Sequence, residues 1–189
     1  MTPGVHAPRP QRMRLDVPAV LALGSNLGDR EATLHAAIDD LQATAGIQVQ
    51  AVSPFVETPA LRLDGVDDAA PRYLNAVALI RTTLDPLDLL GAVGRIEDAH
   101  GRVRSHRWGD RTLDIDIIDV DGRTMQSDRL TLPHPRAAER AFVLVPWLQV
   151  DPDAVLPGHG RVTELAAHTT DRVEEYHTAA RSDEEGGQA

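Results

Sequence analysis

Asp114 and Asp116 stand two residues apart in Arg111-Thr112-Leu113-Asp114-Ile115-Asp116-Ile117, part of a run from Thr112 to Val120 that reads as a β-strand. Side chains alternate faces along a strand, so the two carboxylates share one face, about 6.6 Å apart along the chain. Leu113, Ile115 and Ile117 share the other face and can enter a core. Carboxylates held side by side repel each other, and a divalent cation relieves the repulsion. A small set of hard oxygen ligands favours Mg2+, which keeps waters and borrows phosphate oxygens. Such a pair can also bridge two metals about 3.5–4 Å apart. The same spacing on an exposed strand describes two solvated acids, and the residues just before the pair favour the metal. Arg102, Arg104, Arg107 and Arg111 crowd there, opposed only by Asp110. Guanidinium is planar, always charged and suited to bidentate phosphate contact. Metal on one side of a phosphate chain and Arg on the other is the arrangement that phosphoryl transfer needs. Ion pairing with neighbouring acids is the competing use of at least one of these Arg residues. Gly101, Gly109 and the scarcity of apolar anchors predict a loop that can close over a substrate.

Trp108 lies inside that loop and either docks it on the core or stacks on a ligand. Tyr73 and Phe142 flank other expected loop ends, and a planar heterocycle can stack between two aromatics; aromatics also simply pack cores. His134, between Pro133 and Pro135, sits in a rigid stretch. It can donate to a phosphate or stand in a surface loop. The other His residues show no metal-ligand spacing.

Composition removes several alternatives. The chain has 189 residues and a net charge of -10, and all 19 basic residues are Arg. Without Lys there is no Walker-type phosphate loop and no Schiff-base chemistry. Without Cys there is no disulfide framework, thiolate zinc site or thiol nucleophile. An acidic chain lacks the basic footprint of a nucleic-acid binder. No apolar run approaches the length of a membrane span, and residues 1–16 carry no apolar stretch of a secretory signal. A soluble, cytoplasmic protein is expected. Hydrophobic residues at 42% suffice for a core.

The elements that must position these residues follow from periodicity. Residues 1–16 read as a flexible arm, 17–170 as one domain, and 171–189 as an acidic tail without fixed structure beyond a short helical piece. Val17 to Leu23 reads as a buried strand ended by Gly24. Asp29 is a candidate N-cap for a helix whose buried positions are Leu34, Ile38, Leu41 and Ala45, ended by Gly46. Ile47 to Glu57 reads as one strand and Thr58 to Arg72 as a long loop, a kind of segment that is often functional. Tyr73 to Leu84 reads as a strand. A helix begins at Pro86, buries Leu89, Leu90, Val93 and Ile96, and is capped by Gly101. Asp121-Gly122 signals a hairpin after the acidic strand. Leu130 to Leu132 reads as a short strand, Ala141 to Leu148 as strand or helix, and Val162 to His168 as a short helix. The mixture predicts an α+β fold with helices packed on a mainly antiparallel sheet.

Five motifs in order resemble the 6-hydroxymethyl-7,8-dihydropterin pyrophosphokinase family. They are Leu23-Gly24-Ser25-Asn26-Leu27-Gly28, Glu57-Thr58-Pro59, Tyr73-Leu74-Asn75, the run from Arg107-Trp108-Gly109-Asp110 to Asp116, and Leu132-Pro133-His134-Pro135. Arg140, Phe142 and Val143 fit the segment that follows, and the likeness spans about Leu21 to Pro152. The resemblance implies a ferredoxin-like α+β sandwich and transfer of the β,γ-diphosphate of ATP to the pterin hydroxymethyl group in folate biosynthesis, leaving AMP. It implies two Mg2+ ions held by Asp114 and Asp116, and Arg102 and Arg111 as catalytic phosphate contacts. It places Glu97, Arg104, Arg107, Ile117, His134 and Arg140 at the nucleotide. It places Thr58, Pro59, Leu61, Tyr73, Asn75, Trp108 and Phe142 at the pterin, with Tyr73 and Phe142 sandwiching the ring. A monomer with no nucleic-acid or membrane partner is expected. Asp110 stands where the family usually carries Pro. Two other classes compete. A non-catalytic pterin- or nucleotide-binding module would not need the acid pair, and a ferredoxin-like RNA-binding domain would need a basic face and exposed sheet aromatics.

Overall fold

The computed structural model describes residues 15–62, 65–67, 70–101 and 112–177, and for 60–67 the backbone alone. In chain order the elements are β1 (Val17–Ser25), α1 (Arg30–Ala43), β2 (Ile47–Val52), β3 (Val56–Thr58), β4 (Ala60–Arg62), β5 (Gly65–Asp67), β6 (Tyr73–Thr82), α2 (Pro86–Ala99) and β7 (Asp114–Val120). Then come β8 (Met125–Gln126), β9 (Thr131–Leu132), a 3-10 turn at Ala137–Glu139, α3 (Ala141–Val150), β10 (Val155–Leu156), β11 (Gly160–Arg161), α4 (Val162–Ala167) and β12 (Glu174–Glu175). The main sheet runs β12-β3-β6-β1-β7, with β2 also paired to β6. All its pairs are antiparallel. Strand–helix–strand–strand–helix–strand with β1 and β6 central is the ferredoxin-like arrangement, as expected.

Two cores explain the sequence pattern of β1. Ala19, Leu21 and Leu23 face α1 and α2, where Leu34, Leu41, Leu89 and Val93 are buried. Val20 and Ala22 face the other side, with Val77, Ile118, Val143, Leu144 and Trp147. A strand covered on both faces reads as a continuous apolar run rather than an alternating one. Asp29 caps α1 as expected, its Oδ1 accepting from the Ala32 amide at 3.0 Å. Pro86 opens α2, and Gly101 follows its end at φ 76°, a left-handed conformation that favours glycine.

The structure departs from the sequence reading in several segments and settles one that the sequence left open. The single strand expected over Ile47 to Glu57 is two strands on successive stretches of β6. At the break, the Ser53 hydroxyl accepts from the Val77 amide at 3.0 Å, so a side chain replaces a strand partner where Pro54 interrupts the ladder. The Thr58 to Arg72 loop contains the small β4–β5 hairpin, whose strands are too short to show a period. Ala141 to Leu148 resolves as helix α3, apolar on all sides because it is packed into the second core, with Pro146 inside it. Lastly, the segment expected to be unstructured from Asp171 supplies β12, which pairs with β3. Pairing of main-chain groups at a sheet edge leaves no apolar signature in acidic residues.

Asp121 and Gly122 form the expected turn, both at positive φ, but not a hairpin: β8 pairs with β9 instead of β7. The outer edge of β7 is taken by other groups, described below. Just before the turn, a bulge sets Val20 opposite Asp119 and Leu21 opposite Ile117. Asp119 Oδ2 accepts from the Gly122 amide at 3.0 Å, while Oδ1 is buried with no hydrogen-bond partner among the described residues. Burial, chiefly, pushes this carboxyl above its usual range. Folding therefore favours the protonated form. The associated stability is present below the unfolded pKa and lost as pH rises through the folded one. Asp119→Asn is expected to raise the melting temperature at pH 7 by about 2–4 °C, with the gain shrinking toward pH 4; scanning calorimetry at both pH values checks it.

Candidate active site

The second core stops partway along the sheet, and a polar floor takes its place. Ala22 lies opposite Val77 on one side and Asp116 on the other; Gly24, two residues on, lies opposite Asn75 and Asp114. These residues share the α3 side of the sheet, whereas Ile115 and Ile117 are buried against α1 and α2. The alternation expected of Asp114 and Asp116 is thus present. The side chain of Ile117, expected at the nucleotide, belongs to the helix-side core, because it falls on the odd-numbered face of β7, so any contact with the nucleotide would come from its backbone.

Gly24 sets how closely this floor can pack. A Cβ there would lie 3.0 Å from Asn75 Oδ1 and 3.9 Å from the Tyr73 ring. Asn75 is buried, and its Nδ2 donates to Thr58 Oγ1 at 3.0 Å, joining β6 to β3. Thr58 pairs with Tyr73, and Pro59 is buried beside it in sequence. α3 lies over β6 and touches β3, which brings half-buried Phe142 to this end of the sheet. No ring contact between Tyr73 and Phe142 occurs among the described residues, and the Arg140 guanidinium lies 5.4 Å from the Phe142 ring centre. The signal for Gly24 was already in its motif, but only the register reveals which side chain it accommodates.

Asp116 gathers two N–H donors. Arg140 Nη1 donates to its Oδ2 at 3.0 Å, and His134 Nε2 lies 3.7 Å from the same oxygen. The His134 amide donates to the Ile118 carbonyl at 2.8 Å, fixing the His against the outer edge of β7. Its Nδ1 accepts from the Arg136 amide at 3.2 Å, which leaves the proton on Nε2 in the neutral ring. Burial, first, and the Arg140 and Arg136 charges lower the His134 pKa against the opposing pull of Asp116 and Asp114. At neutral pH the ring is therefore a neutral N–H donor aimed at the carboxylate face.

Glu97 supports the acid pair from behind. It is 4% exposed, and its Oε1 accepts from the Ile115 amide, between the two Asp residues, at 2.8 Å. It is the second occupant of the β7 edge. Glu97→Ala would leave a buried amide without its acceptor, and a loss of about 1–3 kcal/mol is expected in urea unfolding.

The donor set suits a hard divalent cation. Asp114 and Asp116 are partly exposed carboxylates on one face, and among the described residues no cluster of three or more His, Cys, Asp or Glu surrounds them. A cation held there takes its remaining ligands from water and phosphate, as Mg2+ does. Arg102, Arg104, Arg107, Trp108 and Arg111, and the side chain of Leu61, lie outside the described residues.

Residues 20–152 match the family model of 7,8-dihydro-6-hydroxymethylpterin-pyrophosphokinase. The chain belongs to this family. A 2-amino-4-hydroxy-6-hydroxymethyldihydropteridine pyrophosphokinase of Haemophilus influenzae is 41% identical over 155 residues, covering 82% of this chain and 94% of the relative. One of Methylorubrum extorquens is 45% identical over 140 residues, covering 74% and 86%. Among solved structures, wild-type Plasmodium falciparum HPPK-DHPS with pteroate superposes at a TM-score of 0.64 and 14% identity, a likeness of fold. It covers 83% of this pyrophosphokinase-family chain, which spans 43% of that longer protein. Among the described residues no helix is long and apolar enough to cross a membrane.

Proposed function

We propose that the polar sheet face between Gly24, Asn75, Asp114 and Asp116 is where ATP and the pterin meet. The chain is a diphosphotransferase of folate biosynthesis: it transfers the β,γ-diphosphate of ATP to the hydroxymethyl group of 6-hydroxymethyl-7,8-dihydropterin, giving AMP. The observation that carries the placement is the convergence of Arg140 and His134 on Asp116, in the same sheet face as buried Asn75. A carboxylate beside two phosphate-type donors supports a triphosphate there, and a buried amide supports the heterocycle at the other end.

In this reading Asp114 and Asp116 hold two Mg2+ ions, and bound Mg2+ neutralises charge on the triphosphate. Arg140 and the His134 Nε2–H donate to phosphate oxygens, and Glu97 keeps the acid pair in register through the Ile115 amide. Arg102, Arg104, Arg107 and Arg111 supply further guanidinium donors. Asn75 donates and accepts along the pterin amide edge, beside Thr58, Pro59 and Leu61, with Tyr73, Phe142 and Trp108 against the ring. The pterin hydroxyl oxygen bonds to the β-phosphorus as the bond from that phosphorus to the α,β-bridging oxygen breaks. The hydroxyl loses its proton to water, and the electron pair of the broken bond leaves on AMP. Use of ATP supports a cytoplasmic location.

Purified protein with Mg2+, ATP and hydroxymethyldihydropterin is expected to release AMP only when the pterin is present. ADP as the product, or tight ATP binding without AMP release, would overturn this reading in favour of another kinase or a binding module.

A further inference from the structure

Behind the β3 wall of the pocket runs a chain of ion pairs that touches no proposed ligand position. Arg72 Nε lies 3.0 Å from Glu57 Oε2, and Arg72 Nη2 lies 2.9 Å from Glu174 Oε2. Arg30, in the first turn of α1, donates to Glu57 Oε1 at 2.7 Å and to the Arg72 carbonyl at 2.8 Å. Glu57 immediately precedes Thr58, and Arg72 immediately precedes Tyr73. Glu174 lies directly opposite Glu57 in the β12–β3 pair. Because strand side chains alternate, Glu57 points away from the face that carries Thr58. Any effect of this network on the substrate must pass through the backbone.

β12 is the outer partner of β3, a strand of three residues that otherwise pairs only with β6. The segment around it is fastened at both ends. Asp171 Oδ2 accepts from the Ala141 amide at the start of α3, at 3.3 Å. The Tyr176 amide donates to the Phe55 carbonyl at 3.1 Å, and its hydroxyl donates to Glu31 of α1 at 3.1 Å. The segment from 171 to 176 therefore straps together β3, the start of β6, and the starts of α1 and α3. Those elements carry Thr58, Tyr73 and Phe142.

We infer that Glu174 is a positioning residue for the pterin: through Arg72 and Glu57 it holds the β3–β6 end in the spacing that Thr58, Tyr73 and Asn75 present to the ring. This rests on the assignment of those residues to the pterin. Both partners are partly exposed, at 32% for Arg72 and 39% for Glu174, and Arg72 lines an open cleft of about 390 Å³ with Arg30 and Glu57. Water screens the pair, so its loss should disturb alignment without unfolding the domain.

The test uses the full chain, with steady-state kinetics for both substrates. Glu174→Ala is expected to raise the pterin KM about three- to fivefold, the upper scale of a half-exposed ion pair, with kcat and the ATP KM within about twofold of wild type. Glu174→Asp keeps the charge and is expected to recover most of the pterin KM. Asn75→Ala is run beside them. If Asn75→Ala raises the pterin KM and Glu174→Ala leaves it at the wild-type value, the positioning role is overturned, even if the melting temperature falls. An equal rise in both KM values overturns it as well, because that reports general loosening. If neither variant moves the pterin KM, the pterin assignment itself fails and takes this inference with it.

Discussion

Asp114→Asn and Asp116→Asn are each expected to lower kcat by about 10²–10³-fold, the usual scale for removing one preorganised electrostatic contact to a transferring group. The side chains are nearly isosteric, so the change removes charge and leaves shape. Asp116 is about one-third exposed and its ion pair with Arg140 lies at the rim of the second core. Loss of that pair is therefore expected to cost at most about 1 kcal/mol of stability, and a melting curve separates this from the catalytic loss. The Mg2+ concentration needed for half-maximal rate is expected to rise in both variants, since two carboxylates are the protein's described contribution to the cation. Turnover near wild type in both, at saturating ATP and Mg2+, would remove these residues from the reaction. The two variants need not behave identically. Asp116 also restrains Arg140 and faces His134, so its loss frees both of those donors.

Asn75→Ala is expected to raise the pterin KM about ten- to hundredfold, with the ATP KM close to wild type. Asn75 is 4% exposed, so a polar heterocycle edge bound against it would lose its hydrogen bonds without replacement by bulk water. The substitution also removes the donor to Thr58 Oγ1 and loosens β6 from β3 at the same point. Gly24→Ala probes the position from the opposite side. Its methyl would stand 3.0 Å from Asn75 Oδ1, closer than such contacts ordinarily come, and is expected to raise the same KM by displacing the amide. Unchanged pterin KM in Asn75→Ala, measured by AMP release over a range of pterin concentrations, would move the pterin away from this face.

Local chemistry was legible wherever one short segment contains all its determinants. The Asp114–Asp116 pair follows from strand period alone, and the cap at Asp29 and the start of α2 at Pro86 follow from single residue types. The limits of legibility have equally specific causes. α3 is apolar on every side, so no period distinguishes helix from strand in Ala141 to Leu148. The interruption at Ser53 depends on a hydroxyl replacing a main-chain acceptor for Val77, which no pattern in residues 47–57 discloses. Asp121-Gly122 carries the dihedrals of a hairpin turn, yet the β7 edge beyond it is already engaged by Glu97 and His134. β12 is built of two glutamates, recruited by the free edge of β3 and by Arg72, which pairs with Glu174; neither leaves an apolar period in the sequence.

The sequence by itself determined which chemistry this protein can perform. It has paired carboxylates for a hard cation, Arg in place of every Lys for phosphate, and five ordered motifs that resemble one family. These are properties of residue type and short spacing, which survive reading in one dimension. Tertiary structure decided which of these groups lie together. Gly24, Asn75 and Asp116 come from three strands, and His134 and Arg140 from the segment that follows β7. Their meeting depends on antiparallel register and on where α3 stops covering the sheet. Those are long-range pairings, and no local pattern encodes them.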